Sequence, residues 1–169
     1  MSADHEREPA GHRIRAAALI HSTTPRGLAV LLVEPYGPPG LRLPGGPVAP
    51  GTAPHLALAA GVFQQTGLHI PPPVRLLAVD VPGPGADVAA DVVLLYDGGS
   101  AYHTAPVTLG RDLRAYAWTA HGDLEGFAEP YEESRTRAAL LAAETGTTAY
   151  LADGRPVTGQ TGQTDRAAS

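Results

Sequence analysis

The spacing of apolar and polar residues predicts a mixed sheet with two main helices. Runs of aliphatic residues bounded by glycine, proline and threonine predict the strands. These strands are expected over residues 13–22, 27–36, 41–44, 74–82, 91–99, 112–120 and 147–157. A helix is predicted over 53–66, because Gly67 can end it in a left-handed conformation and the prolines at 71–73 prevent its continuation. A second helix is predicted over 131–145, with Gly146 beyond its last turn.

Length and composition favour one soluble domain with loose ends. The 169 residues are 43% apolar, which suffices for one packed core. No uninterrupted apolar run approaches the roughly 20 residues that a membrane span needs. We expect a flexible N-terminal segment at 1–11, one domain at 12–157 and a flexible C-terminal tail at 158–169. The polar start of the chain does not resemble a secretory signal, so the expected location is the cytoplasm, without a membrane partner.

The composition excludes several classes of chemistry. The chain has no cysteine, which excludes thiol nucleophiles, cysteine zinc sites and disulfides. All 12 basic residues are arginine, and the absence of lysine excludes Schiff-base catalysis and a phosphate-loop lysine. The net charge of -5 argues against a nucleic-acid partner. The histidines show no short metal-binding pattern, and no metal site is expected. A small-molecule partner fits this composition best.

One segment, Leu43 to Leu68, carries a family pattern. It opens with LPGG, and Gly46, Val62 and Gly67 then follow at fixed spacing before the final leucine. This arrangement resembles a Nudix box, the loop–helix–loop signature of the Nudix hydrolases. The downstream stretch DLRAYAWTAHGDL resembles the acid-Leu pair and aromatic strand of the same family. The resemblance spans nearly the whole predicted domain and implies an α/β (α+β) fold, an α/β/α sandwich with a mixed central sheet and two main helices.

The acids of such a box are missing from this chain. In the family, glutamates along one side of the box helix bind magnesium or manganese, which neutralises a diphosphate and activates water. The glutamate positions hold Thr52, Gly61, Gln64 and Gln65, and Ala60 replaces the arginine. A carboxylate about 4 Å from a unit positive charge gains roughly 4 kcal/mol at an effective dielectric of about 20, so the loss of several should abolish tight metal binding. We expect no cofactor, and Mg²⁺ or Mn²⁺ only under the hydrolase alternative.

Three interpretations stay open at this point. The first is a Nudix-like protein with a degenerate box that no longer hydrolyses phosphoanhydrides and serves as a small-ligand-binding or interaction module. The alternative is an active Nudix hydrolase of a nucleoside-diphosphate-linked or related substrate, using acids outside the box from among Asp112, Glu129, Glu132 and Glu133. Glu132 and Glu133 fall in the first turn of the second predicted helix, where acids also favour the helix dipole without doing chemistry. The third is an unrelated sandwich with a coincidental LPGG.

The resemblance implies a ligand cleft over the sheet, between the box helix and the neighbouring loops. Its candidate residues are Arg13, Arg15, Arg42, Gln64, Gln65 and Trp118. Arg13 and Arg15 share one face of the first strand and could bind a phosphate, although charges on an exposed strand edge would show the same pattern. Trp118 could stack on a base, although such a residue in an alternating strand is commonly core. The predicted partner is a small phosphate-containing or nucleotide-like ligand, and the family tendency to pair suggests a homodimer.

Overall fold

A computed structural model describes the chain over residues 12–37, 39–73, 75–83, 91–126 and 128–157. The two ends that the sequence predicts to be flexible, 1–11 and 158–169, lie outside the described residues. Residues 84–90, within the predicted connection between the fourth and fifth strands, also lie outside them. None of the helices in the described part of the chain is long and apolar enough to cross a membrane.

The described residues form one mixed sheet, two α-helices and a short 3₁₀ helix. In chain order the elements are β1 (Ile14–Thr24), β2 (Gly27–Pro35), β3 (Gly45–Pro47), α1 (Pro54–Thr66), β4 (Leu76–Val81), β5 (Val92–Ser100), β6 (Leu113–Ala120), the 3₁₀ helix (His121–Gly126), α2 (Pro130–Thr145), β7 (Ala149–Ala152) and β8 (Arg155–Pro156). The strands lie in the order β6-β2-β1-β5-β4-β7-β8, and β3 pairs with β1. The predicted mixed sheet with two main helices is confirmed.

Strand β1 lies in the middle of the sheet and has neighbours along both edges. β5 runs parallel to it on one side. On the other side, β2 pairs antiparallel with its C-terminal part and β3 with its N-terminal part. Arg15 is therefore paired with Val93 on one side and Pro47 on the other. The interpretation as a charge on an exposed strand edge is therefore wrong for Arg15, while Arg13 precedes β1 and has an exposed side chain.

The two helices cover opposite faces of the sheet because the side chains of β1 alternate between the faces. Ala18 and Ile20 pack with Leu58 and Val62 of α1. Leu19 points to the other face and belongs to a buried cluster that includes three alanines of α2. The sheet is thus buried on both sides, and the predicted α/β/α sandwich is confirmed.

Both helices end at the predicted glycines. Gly67 follows α1 with a φ of 69°, and Gly146 follows α2 with a φ of 73°. The N–H of each glycine donates a hydrogen bond to a carbonyl of the last helical turn, on Phe63 in α1 and Ala142 in α2. Glycine adopts this left-handed conformation without the steric cost of a Cβ, so both stop signals were readable in the sequence.

Two predicted strands differ from the structure. Residues 41–44 make only isolated bridges, and regular pairing begins later, at β3 in the glycine-rich loop. The last predicted strand, 147–157, is a hairpin of β7 and β8. Asp153 and Gly154 have positive φ values of 49° and 75° and reverse the chain between these two strands. An Asp-Gly pair in a short apolar segment is a turn signal that the sequence interpretation passed over.

The glycine-rich loop is held tightly against β1 at Gly45. This residue has a φ of 149°, in the region that favours glycine. A Cβ placed on it would lie 2.1 Å from the carbonyl oxygen of Ala16 and 2.8 Å from the Cα of Ala17. An added Cβ on the adjacent Gly46 would meet nothing within 4 Å. The close approach of the loop to the sheet therefore requires glycine at position 45 and tolerates a side chain at 46.

We expect Gly45→Ala to lower the free energy of unfolding by about 3 kcal/mol or more, because the methyl group clashes with β1 and the backbone is strained. Gly46→Ala is the matched control and should change it by less than about 1 kcal/mol. Urea unfolding followed by circular dichroism measures both. Small and equal effects would show that the loop does not rest against β1 as described.

Candidate functional site

The C-terminal half of α1 forms one wall of a cavity of about 570 Å³, which we call the box cavity. Gln64 and Gln65 project from the helix side, beside the small residue Gly61. Among the described lining residues, only Arg111 and Asp112 carry formal charge. The surface is therefore made mainly of amide side chains, backbone and small residues, which can hydrogen-bond a ligand but provide little charge.

The side chain of Gln65 is bound to the peptide of Gly45 by two hydrogen bonds. Its Oε1 accepts from the Gly45 N–H at 2.9 Å, and its Nε2 donates to the Gly45 carbonyl at 2.8 Å. Only one orientation of the amide satisfies both partners, since the backbone offers one donor and one acceptor. A glutamate at this position would keep the first bond and lose the second, because a carboxylate has no hydrogen to donate.

The loop that precedes β6 forms the opposite wall of the box cavity. The N–H groups of Thr108 and Gly110 donate to the carbonyls of Thr66 and Gln65, each at 2.9 Å. A Cβ on Gly110 would lie 2.5 Å from the carbonyl oxygen of Gln64, so the loop touches the helix end directly. These bonds satisfy carbonyls that the last turn of α1 leaves without helical partners. They also fix the position from which Asp112 reaches the cavity.

A second cavity, of about 430 Å³, lies on the other face of the sheet beneath the N-terminal end of α2, and we call it the α2 cleft. Arg15 of β1 and Arg42 of the loop before β3 line it from the sheet side. Glu132 and Arg135 line it from α2. A smaller cavity of about 260 Å³ adjoins it and shares Arg42, Tyr131 and Glu132. Charged side chains are thus concentrated on the α2 side of the sheet.

A buried ion-pair network forms one wall of the α2 cleft. Arg135 donates through Nε and Nη2 to Oδ2 of Asp80, at 2.8 and 2.7 Å, and through Nη1 to Glu132 at 2.9 Å. The other oxygen of Asp80 accepts from the N–H of Gly154 at 2.9 Å. Asp80 is only 2% exposed, so each of its oxygens needs such a donor. The network ties α2 to β4 and to the C-terminal hairpin.

Glu34 anchors the loop that leads to the cleft. Its Oε1 accepts a hydrogen bond from Arg114 and a longer one, 3.4 Å, from the N–H of Gly40. The hydrogen bond from Arg114 is the main reason that the pKa of Glu34 lies below its ordinary value. Because the pKa is lowered, this contact is present over the neutral range and is lost only as the pH falls through the lowered pKa.

Solved structures reveal the relationship of this fold to known proteins. No protein-family model matches the sequence, and no curated protein matches it. A MutT protein from Methanosarcina mazei is 20% identical over 80% of this chain and 96% of its own, with a TM-score of 0.60. An Ap4A hydrolase from Caenorhabditis elegans is 18% identical over 79% and 98%, with a TM-score of 0.62, and a UDP-X diphosphatase is 15% identical over 88% and 70%, with 0.63. The chain has the Nudix fold.

This finding shows that the third interpretation, a wholly different sandwich, is wrong. A shared fold supplies the scaffold, while function depends on the residues of the site. The resemblance to the Nudix enzymes implies a divalent cation bound at the box. The donors present here do not fit such an ion: Gln64 and Gln65 are uncharged, and the Gln65 amide is already bound to Gly45. In the described part of the chain, no group of three or more His, Asp or Glu residues is placed to hold a metal ion.

The structure divides the predicted site residues between the two faces of the Nudix sheet. Gln64, Gln65 and the candidate acid Asp112 come together in the box cavity. Trp118 packs against the core cluster beneath α1, and its Nε1 is buried without a partner among the described residues. Glu133 lies outside both cavities and pairs with Arg137 of the next helical turn at 2.7 Å.

The remaining predicted residues gather around the α2 cleft. Arg15, Arg42 and Glu132 line the cleft itself. Arg13 forms an ion pair at 3.0 Å with Asp91, one of the cleft residues. Glu129 lines the adjoining cavity. The single ligand cleft that the sequence suggested is therefore divided between the two faces of the sheet. The four candidate acids do not share one cavity, although Glu129 and Glu132 both line the adjoining one.

Sequence reasoning missed the residues that hold the α2 cleft together. Asp80 and Arg135 were not singled out, although an acid inside the apolar run LLAVDV is unusual in a buried strand. Their pairing joins positions 55 residues apart in the chain, which no local pattern predicts. Gly110 was missed for the same reason, since its contact with α1 depends on the course of a loop.

We expect Gln65→Glu to destabilise the protein by about 1–3 kcal/mol at neutral pH in the presence of a chelator, because the Gly45 carbonyl loses its donor and faces a carboxylate. Gln64→Glu is the matched control: the side chain is exposed and has no hydrogen bond among the described residues, so the change should be within about 0.5 kcal/mol. Denaturant unfolding compares the two. Indistinguishable effects would contradict a structural role for the Gln65 amide.

Proposed function

We propose that this chain is a Nudix-fold protein that binds a small phosphate-containing or nucleotide-like ligand and does not hydrolyse phosphoanhydrides through its box. The observation that carries the proposal is the paired hydrogen bond between Gln65 and Gly45.

A glutamate at position 65 would bring a carboxylate oxygen against the Gly45 carbonyl oxygen. Two such oxygens repel each other unless a cation or a proton lies between them. The Gln65 amide supplies the missing hydrogen itself, since its Nε2 donates to the Gly45 carbonyl. The close fit of Gly45 against β1 prevents this carbonyl from moving away. The box is thus closed by a neutral hydrogen-bond pair where a metal-dependent enzyme needs anionic ligands.

The α2 cleft is the proposed binding site. Its volume of about 430 Å³ lies in the range of small-molecule pockets, roughly 300–1,000 Å³. Arg42 faces it with a guanidinium that has no hydrogen bond or ion pair among the described residues, which leaves it available for a phosphate. The Ap4A hydrolase and the UDP-X diphosphatase that share the fold are named for nucleotide substrates, which supports a nucleotide-like ligand here.

A second candidate function is hydrolysis by acids outside the box. One observation favours it: Asp112 lines the box cavity beside Gln64 and Gln65. A single carboxylate is a weak basis for binding a divalent cation, which usually takes several oxygen ligands. Asp112 is therefore the residue on which the two functions can be separated.

Titration of the chain with manganese in a calorimeter tests the proposal. We expect no saturable binding at sub-millimolar concentration, and no cleavage of nucleoside diphosphate derivatives with Mg²⁺ or Mn²⁺. In the quadruple variant Thr52→Glu, Gly61→Glu, Gln64→Glu and Gln65→Glu, saturable manganese binding should appear, because carboxylates then stand at the positions that match the family's metal-binding glutamates.

Asp112→Asn in the wild-type background is the control for the hydrolase alternative. Tight manganese binding or turnover by the wild-type chain that disappears in this variant would establish the alternative and overturn the proposal. Binding that is unaffected by it, but lost on Gln65→Leu, would place the ion at the box and overturn the proposal as well.

A further inference from the structure

The formal charges around the α2 cleft do not favour a highly anionic ligand. Three arginines line the cleft, Arg15, Arg42 and Arg135. Four carboxylates line it as well, Asp80, Asp91, Glu132 and Asp153. The adjoining cavity adds the carboxylate of Glu129. Acids therefore outnumber bases at the place where the ligand is proposed to bind.

Two of the three arginines are already engaged with these acids. Arg135 donates to both Asp80 and Glu132. Arg15 forms a longer ion pair, at 3.8 Å, with Asp91, a carboxylate that also pairs with Arg13 at 3.0 Å. A guanidinium bound to a carboxylate has most of its charge compensated locally and offers little to a second anion. Arg42 is the one arginine lining the cleft whose side chain has no ion pair or hydrogen bond with a described residue.

Two acceptors in the cleft are only partly used. Oε1 of Glu132 binds Arg135, while its Oε2 has no partner among the described residues. Oδ1 of Asp153 accepts from the N–H of Gly83 at 2.8 Å, and its Oδ2 likewise has no described partner. A ligand in the cleft can satisfy these oxygens only by donating hydrogen bonds from N–H or O–H groups.

We infer that the α2 cleft takes a ligand with a single anionic group, one phosphate or carboxylate bound by Arg42, and with hydrogen-bond donors directed at Glu132 and Asp153. This inference rests on the proposed function and narrows its ligand class. A diphosphate brings further negative charge into a cleft with one available cation. In a metal-dependent enzyme the ion compensates that charge, but the described part of this chain has no group of three or more His, Asp or Glu residues placed to hold one.

Calorimetric titration with adenosine, AMP and ADP, at fixed ionic strength and with a chelator, tests the inference on the full chain. We expect ADP to bind no more tightly than AMP. Arg42→Gln should weaken AMP binding about tenfold and leave adenosine binding unchanged, because only the phosphate contact is lost. Thermal unfolding of each variant checks that the fold is retained.

Asp153→Asn removes one negative charge while keeping an oxygen for the Gly83 N–H, and asparagine tolerates the positive φ of 49° at this position. It should raise the affinity for ADP relative to AMP by about threefold, since the extra phosphate meets less repulsion. Asp123→Asn, at an exposed acid outside the cleft, is the matched control and should leave the ratio unchanged.

Different results would overturn the single-anion inference and the proposed ligand-binding function. ADP binding about tenfold more tightly than AMP in the chelator would overturn the single-anion inference and leave the proposed ligand-binding function intact. The absence of binding by all three probes at millimolar concentrations would overturn the nucleotide-like ligand itself.

Discussion

The hydrogen-bond pair between the Gln65 amide and the Gly45 peptide joins the box helix to the middle of the sheet. Gly45 rests against β1 so closely that a methyl group would overlap its backbone, and α1 packs on the same strand through Leu58 and Val62. The amide therefore connects two parts of the molecule that are already fixed. A bond of this kind needs no ion and no particular pH, because both of its partners are neutral. The loop–helix geometry of this segment is thus held by a neutral pair, without a carboxylate at position 65.

The charges that the α1 side lacks are concentrated on the α2 side. There, Arg135 and Asp80 form a buried pair that is costly to desolvate and costly to break, since either partner alone would be an uncompensated charge in the core. Apolar clusters lie on both faces of the sheet, and each helix packs against one of them, while Arg15 and Asp80 face the α2 cleft. One continuous segment, from Arg42 to Pro47, borders both cavities as it passes along the edge of β1. The mainly uncharged cavity and the charged cleft therefore lie on opposite faces of one sheet, within a single domain.

Local patterns predicted the parts of this arrangement that depend on local physics. Gly67 and Gly146 end their helices as expected. The left-handed conformation after the last turn depends mainly on the identity of the residue at that one position, so it can be predicted locally. An amide in place of a carboxylate at position 65 was also visible in the sequence. Its partner was not, since the contact with Gly45 depends on how the loop lies against β1. The division of the predicted cleft into two cavities escaped prediction because Arg15 and Gln64 share no element, and only the packed sheet decides on which face each one lies.

The turn of the C-terminal hairpin, although close to the end of the domain, supports the wall of the α2 cleft. The N–H of Gly154 binds the buried carboxylate of Asp80, and the hydroxyl of Ser134 donates to the Gly154 carbonyl at 2.6 Å. Without this residue, one oxygen of a carboxylate deep in the protein would lose its donor, and α2 would lose the hydrogen bond from Ser134 to the hairpin. A truncated chain that stops after β7 would keep every helix and still lack part of a cleft wall. An attached tag or fusion partner has to begin beyond this turn to leave that wall intact.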